Sequence, residues 1–70
     1  LPKYELSQIV ELTKDIPERG LARGTRGAVV QVFDEPDEAY EIEVVDESGD
    51  TRAEFAVSPD QIRSVRSLVS

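Results

Sequence analysis

The 70-residue chain contains no cysteine and no histidine. Disulfide cross-links are therefore excluded, and so is a zinc site of the usual Cys/His kind; only an all-carboxylate site for a hard cation stays open. The side chains most often used as general base or nucleophile are missing with them. Long apolar runs are missing too. None exceeds three residues, and Ala28-Val29-Val30 is broken by Gln31, far short of the roughly 20 residues that a membrane-spanning helix needs. Leu1-Pro2-Lys3-Tyr4-Glu5 has neither the basic start nor the apolar core of a signal peptide, which leads us to expect a cytoplasmic protein. A start at Leu1 rather than Met leads us to expect a further piece upstream. Positive charge is scarce: eight Lys and Arg stand against fifteen Asp and Glu, a net charge of −7. Such a chain repels a polyanion, which argues against general nucleic-acid binding and for a partner that is a protein or is basic.

What the chain does have is concentrated in residues 17–32. Pro17-Glu18-Arg19-Gly20-Leu21-Ala22-Arg23-Gly24-Thr25-Arg26-Gly27 holds three glycines in eight residues and then turns apolar and β-branched. Glycine loses more conformational freedom on folding than any other residue. Its repeated use implies backbone geometry, either positive φ angles or a bend that a Cβ would block. A phosphate-binding loop is excluded, because the stretch has neither the lysine nor the following helix. We read Lys14 to Thr25 as a long polar loop, with Pro17 near its start, feeding a strand.

Ile9, Val10 and Leu12 mark a first strand within Gln8–Thr13, and Gly27–Phe33 a second, apolar on both faces except Gln31. Asp34-Glu35-Pro36-Asp37-Glu38 is a turn, since a proline and four acids suit no sheet interior; without the spacing and glycine of a calcium loop it is a solvated acidic turn. Tyr40, Ile42 and Val44 alternate with Glu41, Glu43 and Val45, which is a half-buried strand. Glu47-Ser48-Gly49-Asp50 offers a two-residue turn centred on Ser48-Gly49. After it, Ala53, Phe55 and Val57 alternate with Arg52, Glu54 and Ala56. That turn sets Val44 opposite Ala53, Ile42 opposite Phe55 and Tyr40 opposite Val57, so both strands turn their apolar residues to one face. The same register sets Glu43 opposite Glu54 and Arg52 opposite Val45. Ser58-Pro59-Asp60-Gln61 reads as a 3-10 turn capped by Ser58, and Ile62 to Val65 as a short last strand. A single helix over 59–69, with Ile62, Val65 and Val69 on one face, is the alternative. One domain is expected over 4–66, with 67–70 as a C-terminal tail; a chain this short buries only about 60% of the surface its unfolded form exposes.

Five short strands, a long loop after the first, a tight hairpin and a 3-10 turn before the last strand describe an all-β, SH3-like barrel. At residue level, the run from Asp15 to Val30, followed by Tyr40-Glu41-Ile42-Glu43-Val44 and Ser58-Pro59-Asp60-Gln61-Ile62-Arg63, resembles a bacterial family of small proteins, domain of unknown function family 4926. The resemblance runs from Tyr4 to Val65. It implies an SH3-like barrel and no established activity. Similar barrels with a Gly-x-x-Gly-x-Val approach to a strand occur in the nitrile hydratase β subunit, packed against a larger partner, and in KOW modules, which bind RNA or protein.

Catalysis is not expected. Ser48 and Ser58 are accounted for by a turn and a cap, and Glu41 and Glu43 lie on a strand face with no cleft. A groove for proline-rich ligands is not expected either: of the four aromatics, Tyr4, Phe33, Tyr40 and Phe55, two belong to the core. Charge is polarised along the chain. Ten of the fifteen acids lie between Asp34 and Glu54, where the only base is Arg52, whereas the glycine loop carries Lys14, Arg19, Arg23 and Arg26. The reading that results is a non-enzymatic protein-interaction module or small accessory subunit. It binds another protein through Arg19, Leu21, Arg23 and Arg26, while Pro17, Gly20, Gly24, Gly27 and Gly49 shape the backbone. The alternative for Leu21, an apolar residue at a polar loop tip, is that it folds back to cover the end of the barrel. No cofactor, metal or membrane is expected. The alternative is a nucleic-acid-associated, KOW-like accessory factor, linked to phage defence or mobile elements, that uses the same arginines. A homodimer through an open strand edge is a third arrangement.

Overall fold

The computed structural model describes residues 2–65. Alternation in the middle of the chain sets the sheet. In β3 (Ala39–Val45), Tyr40, Ile42 and Val44 are buried and the residues between them are not. β4 (Thr51–Val57) repeats the pattern with Phe55 and Val57. With β1 (Ile9–Leu12), β2 (Arg26–Phe33) and β5 (Ile62–Ser64) they form one sheet in the order β4-β3-β2-β1-β5, antiparallel at every junction. Two 3-10 turns, Pro17–Arg19 and Pro59–Gln61, are the only helical segments among the described residues. This is the expected all-β, five-stranded fold with a 3-10 turn before its last strand.

A single sheet has no second layer to cover its apolar face, so it coils until that face meets itself. One buried cluster draws on every strand: Val10 and Leu12, Val29, Tyr40, Ile42 and Val44, Phe55 and Val57, and Ile62. Ile16 and Leu21 join it from the glycine loop and Tyr4 from the N-terminal segment. Tyr4 links opposite sides of the coil. Its ring meets Tyr40 edge-on at 5.1 Å, and its hydroxyl donates to the Ile62 carbonyl at 3.2 Å. β4 and β5 share no ladder, so the coil is left open between them.

Two irregularities decide which side chains face out. Val29 pairs with Ile42, but Gln31 pairs with Glu41, which makes Val30 an extra residue. Strict alternation from Val29 would turn Gln31 inward. The bulge turns it out and brings Val32, opposite Tyr40, against the core. In the β3–β4 hairpin the pairs Tyr40–Val57, Ile42–Phe55 and Val44–Ala53 are those expected, and Glu43 stands opposite Glu54. The turn itself is not the two-residue one. The Asp46 N–H donates to the Asp50 carbonyl at 2.9 Å and the Gly49 N–H to the Asp46 carbonyl at 3.0 Å. Glu47, Ser48 and Gly49 thus form a three-residue loop, with Gly49 at φ 86°. Asp46 Oδ1 holds it by accepting from the N–H groups of Ser48 and Asp50. The longer loop pairs Val45 with Thr51 rather than Arg52, and Arg52 bulges to restore the register from Val44–Ala53 onward.

β5 replaces the helix considered over 59–69. It pairs with β1 through Val10–Ser64, Glu11–Arg63 and Leu12–Ile62. The Thr13 N–H donates to the Gln61 carbonyl at 2.9 Å and Thr13 Oγ1 to the Asp60 carbonyl at 2.7 Å. The strand wins because it satisfies backbone groups on the edge of β1 that a helix would leave unpaired. Residues 66–69 of that helix, and the tail expected over 67–70, lie outside the described residues.

Candidate interaction surface

The glycine loop is a small hairpin rather than an extended polar stretch. Ile16 and Leu21 exchange both backbone hydrogen bonds, at 2.7 and 3.1 Å, across the Pro17–Arg19 turn. Gly20 closes that turn at φ 67°, and Gly24 lies at φ 88°, the positive angles expected. At Gly27 the reason is space. A Cβ there would lie 2.9 Å from the Glu43 carbonyl oxygen and 3.3 Å from Val44 Cγ2, so β2 could not approach β3 as closely.

This geometry divides the four residues expected to form one contact surface. Leu21 is 3% exposed and belongs to the core. An apolar side chain in a polar loop is held inward by the Ile16–Leu21 bridge, which leaves it little surface for a partner. Arg19 lays its guanidinium over the Phe55 ring, 4.4 Å from the centroid, a packing role for a cation on an aromatic face. Arg23 is exposed, and its backbone N–H donates to Asp15 Oδ1 at 2.8 Å. Arg26 opens β2 on the outer face of the sheet, opposite Glu11.

That outer face carries more apolar surface than the loop. Ile9, Val30 and Val45 are 40–50% exposed on it, and Leu6, in the segment before β1, is 61% exposed beside Val30. Register explains the arrangement: Ile9, Ala28, Glu43 and Glu54 form one row across four strands, apolar on the β1–β2 side and acidic on the β3–β4 side. Ile9, Ala28 and Val45 line a shallow hollow with Arg26, Gly27 and Glu43. Leu6 and Val30 line a second one with Tyr4 and Val32. In the neighbouring row Glu11 faces Arg26 on one side and Arg63 on the other, and Arg63 Nε donates to Glu11 Oε1 at 2.6 Å. Two of these residues were visible as breaks in pattern. Val45 ends the outward series Glu41, Glu43, and Ile9 shares a strand face with Glu11. Leu6 carried no such signal, and Val30 depends on the bulge.

The acidic side of the row is under electrostatic tension. Contact with the Glu41 carboxyl raises the Glu54 carboxyl above its ordinary range, with desolvation and the Glu41 charge adding to it. Thr51 Oγ1 donates to Glu43 Oε2 at 2.7 Å and fixes that carboxylate. Elsewhere the carboxylates serve structure. Glu38 accepts hydrogen bonds from the Tyr40 hydroxyl and the Lys3 N–H, which lower its pKa in that order. Tyr40, fully buried, is pushed up by desolvation first and by Glu38 second. Asp60 is lowered mainly by the hydroxyl of Ser58.

Among the described residues no helix is long and apolar enough to cross a membrane. No curated protein and no solved structure matches the chain. The stretch that builds the sheet, residues 6–64, matches the family described as Domain of unknown function (DUF4926), and the chain belongs to that family.

Proposed function

We propose that this chain is a non-enzymatic protein-binding module, a small accessory domain that presents the outer face of its sheet to a partner. The observation that carries the reading is the exposure of Ile9 and Val45, 48% and 50%, on either side of Ala28 and Arg26. The core on the other face is complete without them. Grouped apolar side chains rimmed by charge are the usual mark of an interaction site, whereas single ones are not. The arginine loop contributes Arg26 to this surface, while Arg19 and Leu21 are engaged in packing. Nucleic acid is the poorer occupant, because Glu43 and Glu54 share the row with Ile9 and would repel phosphate.

The test is affinity purification from the source cell with the wild-type chain and with Ile9→Ser/Val45→Ser, both outward positions whose replacement leaves the core intact. A protein recovered with the wild type and lost with the variant supports the reading. Identical recoveries from both chains overturn it.

A further inference from the structure

We infer that the partner of the outer face is a basic protein surface with an aliphatic anchor. The anchor fills the hollow between Ile9, Ala28 and Val45, and lysine or arginine side chains lie against Glu41, Glu43 and Glu54. This rests on reading the outer face as a docking surface and adds the chemistry of what docks there.

Register supplies the first argument. Ile9, Ala28, Glu43 and Glu54 are consecutive across the sheet, and neighbouring strands are about 4.8 Å apart. An anchor over Ala28 and a cation over Glu43 or Glu54 therefore stand about 5–10 Å apart on the partner, a spacing that one strand or one helix face supplies. Charge supplies the second. The two ion pairs among the described residues are Lys14–Asp60 and Arg63–Glu11, and neither involves Glu41, Glu43 or Glu54. On the other side of the face, Glu11 stands between Arg26 and Arg63 and binds the latter, which leaves Arg26 as the one cation among the described residues that line the hollow. Against that single arginine stand three carboxylates outside those ion pairs, Glu41, Glu43 and Glu54, so the balance of charge beside the hollow is negative. Glu41 against Glu54 is a repulsive contact that a cation between them relieves, and Thr51 holds Glu43 in place for the same purpose. A second copy of the chain is a poor occupant, because it brings another net charge of −7.

Chemical-shift mapping on the full chain, isotopically labelled, tests this with three synthetic peptides of equal length. Each spaces leucines among lysines, serines or glutamates. The lysine peptide is expected to shift the amides of Ile9, Ala28, Glu43, Val45 and Glu54 and to weaken with added salt. Glu43→Gln/Glu54→Gln is expected to reduce its affinity about tenfold, the scale of one close charge pair at an interface. That variant removes a repulsion, so it keeps the fold. Equal binding of the serine or glutamate peptide at the same amides keeps the docking surface but overturns the basic partner. Shifts confined to the acidic segments 34–38 or 46–50, or affinity unchanged in the variant, overturn it as well. No shift on the outer face with any peptide counts against both readings.

Discussion

Gly27 shows how one missing side chain sets the spacing of two strands. A methyl group there would meet the Glu43 carbonyl oxygen at 2.9 Å. That oxygen is backbone within the β2–β3 ladder and cannot step aside by changing rotamer. Gly27→Ala is therefore predicted to destabilise the fold by about 1–3 kcal/mol, the scale of an overpacked site. Urea unfolding would show a lower midpoint with an unchanged slope; an unchanged midpoint would contradict the steric account. The need for glycine at positions 20, 24 and 27 was legible in the sequence. Which of the two reasons applied at each position was not, because the close approach at Gly27 is made by a carbonyl sixteen residues away in the chain. Arg19 was harder to read for a related reason, whereas Leu21, apolar at a polar loop tip, already pointed to a residue that folds back over the barrel end. A loop arginine looks exposed until the Phe55 ring beneath Arg19 is known.

At the scale of the element, the β3–β4 hairpin was read with the right partners and the wrong turn. Burial of one face specifies pairing strongly, because a slip of one residue would put Ile42 and Phe55 into water. Nothing comparable specifies the loop. Glu47, Ser48 and Arg52 are exposed in either arrangement, so a three-residue loop with a compensating bulge at Arg52 preserves the same ladder. The bulge also disrupts the outer edge of β4, a common way to blunt an edge against pairing with another chain. In β2 the clue was Gln31, the polar residue in an apolar run. The chain resolves it by bulging at Val30, which sends Gln31 outward and leaves Val30 40% exposed beside Leu6. The last strand was read after the proline-led turn with Ile62 facing inward. The helix over 59–69 stayed open as an alternative, because the free edge of β1 that receives the strand is set by pairing distant in sequence.

For the whole molecule, charge links stability to pH with two opposing signs. Glu38 and Asp60 titrate below the ordinary carboxylate range, because Tyr40 with Lys3, and Ser58, hydrogen-bond their charged forms. They add stability above that range, and it is lost as pH falls through their lowered values. Glu54 behaves oppositely. Beside Glu41 it holds its proton more tightly folded than unfolded, so stability falls as pH rises through its raised value. Glu54→Gln is predicted to raise the urea midpoint at neutral pH, with the gap over wild type closing as pH is lowered through the carboxylate range. A gap of constant size across that range would contradict the Glu41–Glu54 repulsion.

The same face that carries this repulsion carries the exposed apolar residues, and the central claim is that the two together receive a partner. Site-specific photo-crosslinking in the source cell tests it most directly. A photoreactive residue would be placed at Ala28, in the outer-face hollow, and separately at Asp37, in the exposed acidic turn beyond the far end of β3. The account predicts a discrete protein adduct from position 28 and none from 37, with lysine or arginine in the captured segment. Adducts from position 37 alone, or the same adducts from both, would contradict it.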